Sequence, residues 1–537
     1  MRSLAIAAMA LAVAFFAAAM AVRLVYYGHF SPSLMDDAFF FVRYGNNFLD
    51  TGVFAWNRGE GPVFGNTSQL YQLLVTVLLW LLERNAVLSV TLAAVLGALV
   101  YLAALPSAYW TSRPHAEPTL RLLVVAVLAG LVAFDGQLFL LIGAGMETSW
   151  AMALVALGLL LAFRVQNGEA GWRLLALNSA CIAAVYATRP DATLLALAAP
   201  AGLALFSPVP VLRRAGLKIC LLSLVLVAAV AGLCWLYYGD PLPLAFLAKT
   251  LPFTNLPTDD SGIALAEPSR HLYDTFIWHV PEFVLGLAAL GFFFRLSPVM
   301  RGAALGMLAF FAYHHFAVLP VMGYFGRFLA PALPVLALLA AGTIEAILRR
   351  SGLARGLRAV GLAGALLLAG LALLMAHKVV PTAIRVAAYH VPGDDKDISL
   401  STGEAAIAHA AREFAFFRPR MVELVRALGD DCSIASTEDG ILSAYARFNR
   451  VVDYSGLHDR RIVREGFSAG RMLEEARPDV LVLPPRWYRQ WGRAIESHPA
   501  FARDYLAEPA WSDTALPIAF RKDSVCAARV RQALYGR

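Results

Sequence analysis

Apolar stretches of bilayer-crossing length recur along this chain of 537 residues, and they constrain its fold more than any other feature. Residues 4–25, 87–108, 122–141, 148–164, 174–188, 192–206, 217–236, 277–294, 302–322, 327–348 and 357–377 are the candidate spans. Hydrocarbon offers no partner for backbone N–H and C=O groups, so segments of this kind must be helical. With 59% hydrophobic residues, 15% charged residues and a mean hydropathy of +0.62, the composition argues against a large soluble enzyme. The expected fold is an α-helical polytopic membrane protein.

Charge sets the expected topology. Lys and Arg gather in short loops at Arg113/Arg121, Arg164/Arg173, Arg213/Arg214/Lys218, Arg295/Arg301 and Arg349/Arg350/Arg355/Arg358, which the positive-inside rule places in the cytoplasm. The alternation works only if the apolar run 69–82 lies in the interface, as a helix too short to span comfortably. The count is then about eleven transmembrane helices in a multi-pass protein of the bacterial inner (plasma) membrane. Its N-terminus is cytoplasmic and its C-terminal part is outside. Residues 4–25 also read as a signal peptide, given Arg2, an Ala-rich core and small residues near 17–21. Either reading leaves the following loop, 26–86, outside the cytoplasm.

The last part of the chain has a different character. Residues 379–537 carry 22 of the 45 Lys/Arg and 21 of the 38 Asp/Glu in less than half the length, which sets a boundary near Lys378. We therefore divide the chain into a transmembrane domain, 1–378, and an extracytoplasmic (periplasmic) domain, 379–537. Short apolar runs at Cys432–Ser436, Val451–Tyr454 and Val480–Pro484 alternate with helical patterns, as in a small α/β domain. In an oxidising compartment Cys432 and Cys526 could form a disulfide, although spacing alone leaves the pairing open. Cys181, Cys220 and Cys234 fall in apolar runs as core residues. No Cys/His cluster has zinc spacing, and no basic tract interleaved with aromatics points to nucleic acid.

Against this apolar background, the polar insert 34–68 stands out. Asp36 and Asp37 open the amphipathic run 39–49, which suits a helix lying in the interface, and a Gly/Asn-rich loop with Trp56, Asn57, Arg58 and Glu60 follows. The pair reads either as a helix N-cap or as a reactive centre at the bilayer surface. Other polar residues fall at the outer ends of spans: Glu147, Arg189 with Asp191, Asp240 with Lys249, and Arg327. Each has a plain structural role open to it: cap, internal ion pair, snorkelling anchor or interfacial charge. Together, three cations and three carboxylates on one face could hold a phosphate-linked lipid and activate a hydroxyl. His314 and His315, deep in a span, read as core residues. His458, in the run Asp453–Asp459, reads either as part of a turn or as a residue reaching over the first outer loop.

These landmarks carry a resemblance. Asp36-Asp37-Ala-Phe with Arg43-Tyr44, Asn66-Thr-Ser, Gly145-Met-Glu-Thr, Thr188-Arg-Pro-Asp, Tyr238-Gly-Asp-Pro-Leu-Pro with Lys249, Arg327-Phe-Leu-Ala-Pro-Ala-Leu-Pro and Ser455-Gly-Leu-His-Asp occur in the order seen in GT-C glycosyltransferases. The chain most resembles bacterial members of the arabinofuranosyltransferase and mannosyltransferase-like type. The resemblance implies a GT-C fold and transfer of a sugar from a polyprenyl-phosphate donor to a glycan, lipid or protein acceptor. It also implies a base at Asp36 or Asp37. One departure is Gln69 where the family has proline, which removes a fixed entry to the following helix.

The expected reaction is an inverting displacement. Arg189, Lys249 and Arg327 are the candidate donor-phosphate ligands, and Arg43, Tyr44, Glu147, Asp191 and His458 the candidate substrate contacts. No cofactor is required. A divalent metal between Asp36 and Glu147 is chemically allowed, but a leaving phosphate flanked by cations does not need one. The competing reading is a transporter or flippase of a lipid-linked or polar solute. The large tail and the acidic first loop argue against it, as does the absence of an inverted repeat of broken helices.

Overall fold

A computed structural model describes residues 36–133, 136–249, 279–318, 326–350, 418–437, 439–484, 489–511 and 516–536. The expected spans 4–25 and 357–377 and the boundary near Lys378 lie outside these residues. Among the described residues, four helices are long and apolar enough to cross a membrane: Ala86–Ser112, Thr148–Gln166, Pro210–Tyr238 and Ala330–Arg349. Other expected spans are helical as well, at Trp172–Thr188, Thr193–Phe206 and Pro298–Ala317. Two differ: 122–141 is divided between Pro118–Ala133 and Gly136–Gly143, and 277–294 contracts to Val280–Leu290 with a short 3-10 turn beyond it. The described helices thus give four crossings by length and composition, against the expected eleven.

The helices begin and end where local chemistry dictates. The Asn85 side chain accepts the Leu88 N–H at the start of Ala86–Ser112, and Ser297 does the same for Met300 ahead of Pro298. The helices Thr193–Phe206 and Pro298–Ala317 cross closely at Gly202 and Gly302. A Cβ on Gly302 would stand 2.1 Å from the Ala198 carbonyl oxygen, so only hydrogen fits there.

The basic loops come together at one end of the bundle. Asn167 donates to the Thr111 carbonyl (2.8 Å), Gln166 accepts the Val299 N–H (3.1 Å), and Arg113 pairs with buried Glu345 (2.9 Å). The helix Thr148–Gln166 runs from Glu147 to this end, and Trp172–Thr188 runs back from it to Arg189.

The first-loop helix, Ala38–Thr51, leaves no open apolar face over its first ten residues. Its residues 38–47 are all buried, because the C-terminal part of the chain covers the face that the bundle leaves free. The next helix, Gln69–Leu81, does keep an exposed apolar stripe: Leu70, Leu73, Val77, Trp80 and Leu81. The entry to this helix, which lacks proline, is closed by side chains instead. Asn66 donates to Gln72 Oε1 (2.6 Å), and Gln69 reaches back to the Asn66 carbonyl (2.9 Å).

The described residues between 418 and 536 form an α/β unit around a five-stranded sheet. Strands β1 (Ser433–Ser436), β2 (Arg450–Asp453), β3 (Val480–Val482), β4 (Tyr505–Glu508) and β5 (Ile518–Arg521) lie in the order β2-β1-β3-β5-β4. β2, β1 and β3 are parallel, while β5 and β4 are antiparallel. Cys432 and Cys526 are joined as a disulfide, with Cα atoms 5.8 Å apart. The carboxyl ends of β1 and β2 carry Asp439–Gly440 and Asp453–His458, and this edge meets the first-loop helix. In open α/β sheets that is the edge where ligands bind.

Candidate active site

Asp36 and Asp37 are both buried, but they face different partners. The Asp36 carboxylate accepts the backbone N–H groups of Gly440 (2.8 Å) and Ile441 (2.7 Å), the first residues of the helix Gly440–Tyr445. It therefore attaches the α/β unit to the first loop. The contact is so close that a Cβ on Gly440 would lie 2.0 Å from the Asp36 carbonyl oxygen. Asp37 instead lines a cleft of about 860 Å³, counting its open mouth, and accepts a 2.7 Å hydrogen bond from Arg327 Nη2. Asp36 does not line this cleft, whereas Glu147 does.

Glu147, Arg189, Asp191, Arg327 and His458 share the cleft with Asp37. Arg189 lies at the end of Trp172–Thr188. Its guanidinium forks onto Asp191 (3.2 and 2.8 Å) and donates to the Arg327 carbonyl (3.0 Å). The two arginines are thus held side by side, each against one aspartate, with Phe328 beneath both. His314 belongs to this group although it reads as a core residue in the sequence. Its Nε2 lies 3.1 Å from Asp191 Oδ2 and its Nδ1 lies 3.0 Å from the Phe310 carbonyl oxygen. A histidine deep in a span is itself a signal of function, but its partner lies 123 residues away. Tyr313, Met146 and Phe328 complete this wall.

His458 is the contribution of the α/β unit. Its ring stacks on Trp56 (centroids 3.8 Å apart, 8° between planes) and meets the edge of Phe40 (4.4 Å). Its Nδ1 lies 3.0 Å from Tyr44 Oη, and its backbone N–H donates to Asp453 Oδ2 (2.7 Å). The packing is tight: a Cβ on Gly65 would fall 2.2 Å from His458 Nδ1. Burial pushes the Asp453 carboxyl up to about 6, even though the Ser455 hydroxyl and the N–H groups of Ser455, Gly456 and His458 all donate to it.

Two of the expected substrate contacts, Arg43 and Tyr44, do not line the cleft. Arg43 is buried, and its guanidinium is used by the carbonyls of Trp56, Ser443, Ala446 and Asn449 and by Asn57 Oδ1. Burial lowers it to about 10. It fastens the α/β unit to the first loop and does not line the cleft. Tyr44 lies one layer behind the cleft wall, where burial holds its hydroxyl well above its usual value, and it touches His458 instead of the cavity. Lys249 ends the short helix Leu244–Lys249, and its side chain lies outside the described residues; Ala245 and Phe246 of the same helix line the cleft.

Among the described residues two groups have metal-ligand types, and in one of them, Asp431 with Cys432 and Cys526, the cysteines are joined as a disulfide. In the other, Asp439, Asp453 and His458 each bring a ligand atom to within 4.8 Å of one another. Four donors already reach Asp453, and Tyr44 Oη lies against His458 Nδ1.

No protein-family model and no curated protein sequence matches the chain. In structure it is similar to ArnT from Cupriavidus metallidurans in the apo state, at 14% identity over 96% of this chain and 98% of that one, with a TM-score of 0.57. The same protein bound to undecaprenyl phosphate matches at 12% identity over 95% and 98%, with a TM-score of 0.52. AglB, the archaeal oligosaccharyltransferase from Archaeoglobus fulgidus, in complex with an inhibitory peptide and a dolichol-phosphate, matches at 10% identity over 97% of this chain and 74% of that one, with a TM-score of 0.57. The chain shares its overall architecture with ArnT and AglB. At these identities the likeness is one of fold.

Proposed function

We propose that the chain is an inverting glycosyltransferase that moves a sugar from a polyprenyl-phosphate donor to a hydroxyl of an envelope glycan, lipid or protein. The observation that carries this reading is the cleft itself, where Asp37 and Arg327 form an ion pair beside Arg189 and His458. The acceptor hydroxyl loses its proton to Asp37 as its oxygen attacks the sugar C1. The bond from C1 to the phosphate oxygen breaks, and the polyprenyl phosphate leaves from the opposite face with the electron pair. A positioned base contributes typically ~10²–10⁴-fold in rate.

Arg327 has a specific part in this step. Negative charge disappears from Asp37 as it takes the proton and reappears on the leaving phosphate. A guanidinium touching Asp37 and facing the cleft stays matched to that charge throughout. Arg189 holds the Arg327 backbone in place and adds a second cation, and Lys249 is a third candidate. Asp191 orients Arg189 and His314. Asp36 and Tyr44 position the α/β unit and His458.

In this reading the cleft and the α/β unit face the outside of the inner membrane. The Cys432–Cys526 disulfide supports that side, as does the gathering of basic loops at the far end of the bundle. Arabinofuranose is the sugar that the sequence resemblance suggests. The test is mass spectrometry of envelope glycans and glycoproteins from a deletion strain, complemented with wild type or with Asp37→Asn. One defined sugar mass should vanish, returning with wild type and not with the variant. An unchanged profile in all strains, with both proteins well expressed, would refute the proposal.

A further inference from the structure

Glu147 is a carboxylate whose charge faces Arg189 but whose Oε2 meets no donor among the described residues. It stands at the start of Thr148–Gln166 but caps no backbone N–H, and it is only 7% exposed. The two arginines of the same cleft are taken up by Asp37 and Asp191. The backbone on either side is nevertheless firmly held: Tyr71 Oη donates to the Gly145 carbonyl (2.8 Å), Ser149 to the Ala94 carbonyl (2.8 Å) and Trp150 to the Ala93 carbonyl (2.7 Å). A buried carboxylate without donors destabilises the empty protein, and a ligand that brings donors removes the penalty.

We propose that Glu147 reads the ring hydroxyls of the sugar carried by the lipid donor, and so makes the cleft select glycosylated over bare polyprenyl phosphate. The proposal rests on the glycosyltransferase reading and deepens it. A phosphate presents oxygens to Glu147 and is repelled. A sugar presents O–H donors, and a carboxylate accepts two of them at once in short, charge-assisted bonds. Glu147 lines the same cleft as Asp37, so a sugar whose C1 faces Asp37 has its hydroxyls within the same walls.

The test is equilibrium binding to the detergent-solubilised full chain. The probes are bare undecaprenyl phosphate and the same lipid phosphate carrying arabinofuranose, mannose or glucose, each against wild type, Glu147→Gln and Glu147→Asp. Wild type should bind at least one sugar-bearing lipid about tenfold or more tightly than the bare one. Glu147→Gln keeps the shape and loses the charge, so it should weaken that sugar-bearing lipid about tenfold, the scale of one charge-assisted bond against a neutral one. Bare lipid should bind equally well or better, and Glu147→Asp should recover part of the loss. Equal weakening of both lipids would mean a merely structural role and would overturn the proposal, as would undiminished binding of the sugar-bearing lipid by Glu147→Gln. Wild type that binds bare and sugar-bearing lipids alike also overturns it, while leaving the lipid-phosphate site standing. Wild type that binds none of them removes the glycosyltransferase reading as well.

Discussion

What a carboxylate does is set by the donors that reach it, and Asp36 and Asp37 meet different ones although they are adjacent. Asp36 receives two backbone N–H groups 404 and 405 residues further on, whereas Asp37 receives a guanidinium in a cleft. Asp36→Ala should therefore lower thermal stability by about 1–2 kcal/mol, the scale of a lost N-cap, and leave lipid-phosphate binding in place. A calorimetric scan beside a binding isotherm separates the two effects. Asp453 gives a pH prediction. Its folded carboxyl is raised from 3.8 to about 6, so the protonated form favours the native state. That contribution is full below about pH 4 and is lost as pH rises through 6, a swing of about 3 kcal/mol. Unfolding followed between pH 4 and 7 should show wild type losing stability across that window and Asp453→Asn losing much less. The sequence made the Asp pair, Glu147 and the Arg189–Asp191 pair legible because charges stand out in an apolar chain. It could not distinguish Asp36 from Asp37, or Arg43 from a ligand contact, because their partners lie hundreds of residues away.

Among the elements, close helix contacts set the distances in the cleft. Gly302 and Gly306 of Pro298–Ala317 lie against the helix that follows Asp191, and this packing brings His314 to 3.1 Å from Asp191. Gly302→Ala would place a methyl 2.6 Å from Gly202 Cα, and should cost about 1–3 kcal/mol as overpacking does. Gly130→Ala is the control, since nothing lies within 4 Å of a Cβ there, and it should not lower the melting temperature in the same detergent. Most helices were legible from hydropathy, because a lipid-facing helix must be apolar over its length. The burial of Ala38–Thr51 was not: its Phe-rich face reads as a membrane contact, and only the folded chain shows that the α/β unit covers it. The strands at 433–436, 450–453 and 480–482 fell within the apolar runs of the tail, whereas β4 and β5 gave no comparable signal.

For the whole molecule, the cleft is a joint product of the helical bundle and the α/β unit. Asp36, Arg43, Tyr44 and Asp50 of the first loop all bond to residues beyond 440, and Asp240 pairs with Arg460 and Arg464. The Cys432–Cys526 disulfide closes a loop that contains Gly440, Ala446, Arg447, His458, Arg460 and Arg464, which make these bonds. Replacing both cysteines with serine should lower stability by about 5 kcal/mol in the chain-entropy account. The melting temperature should fall, and a reducing agent should have no further effect on the variant. The central claim is that this cleft transfers a sugar from a lipid phosphate with Asp37 as base. The most direct measurement incubates detergent-solubilised protein with labelled polyprenyl-phosphate sugars and an envelope extract as acceptor, comparing wild type with Asp37→Asn. Wild type should consume one lipid-linked sugar and release the bare polyprenyl phosphate, and the variant should be slower by at least about a hundredfold. Equal turnover by the two proteins, or no consumption of any donor by well-folded wild type, would contradict the account.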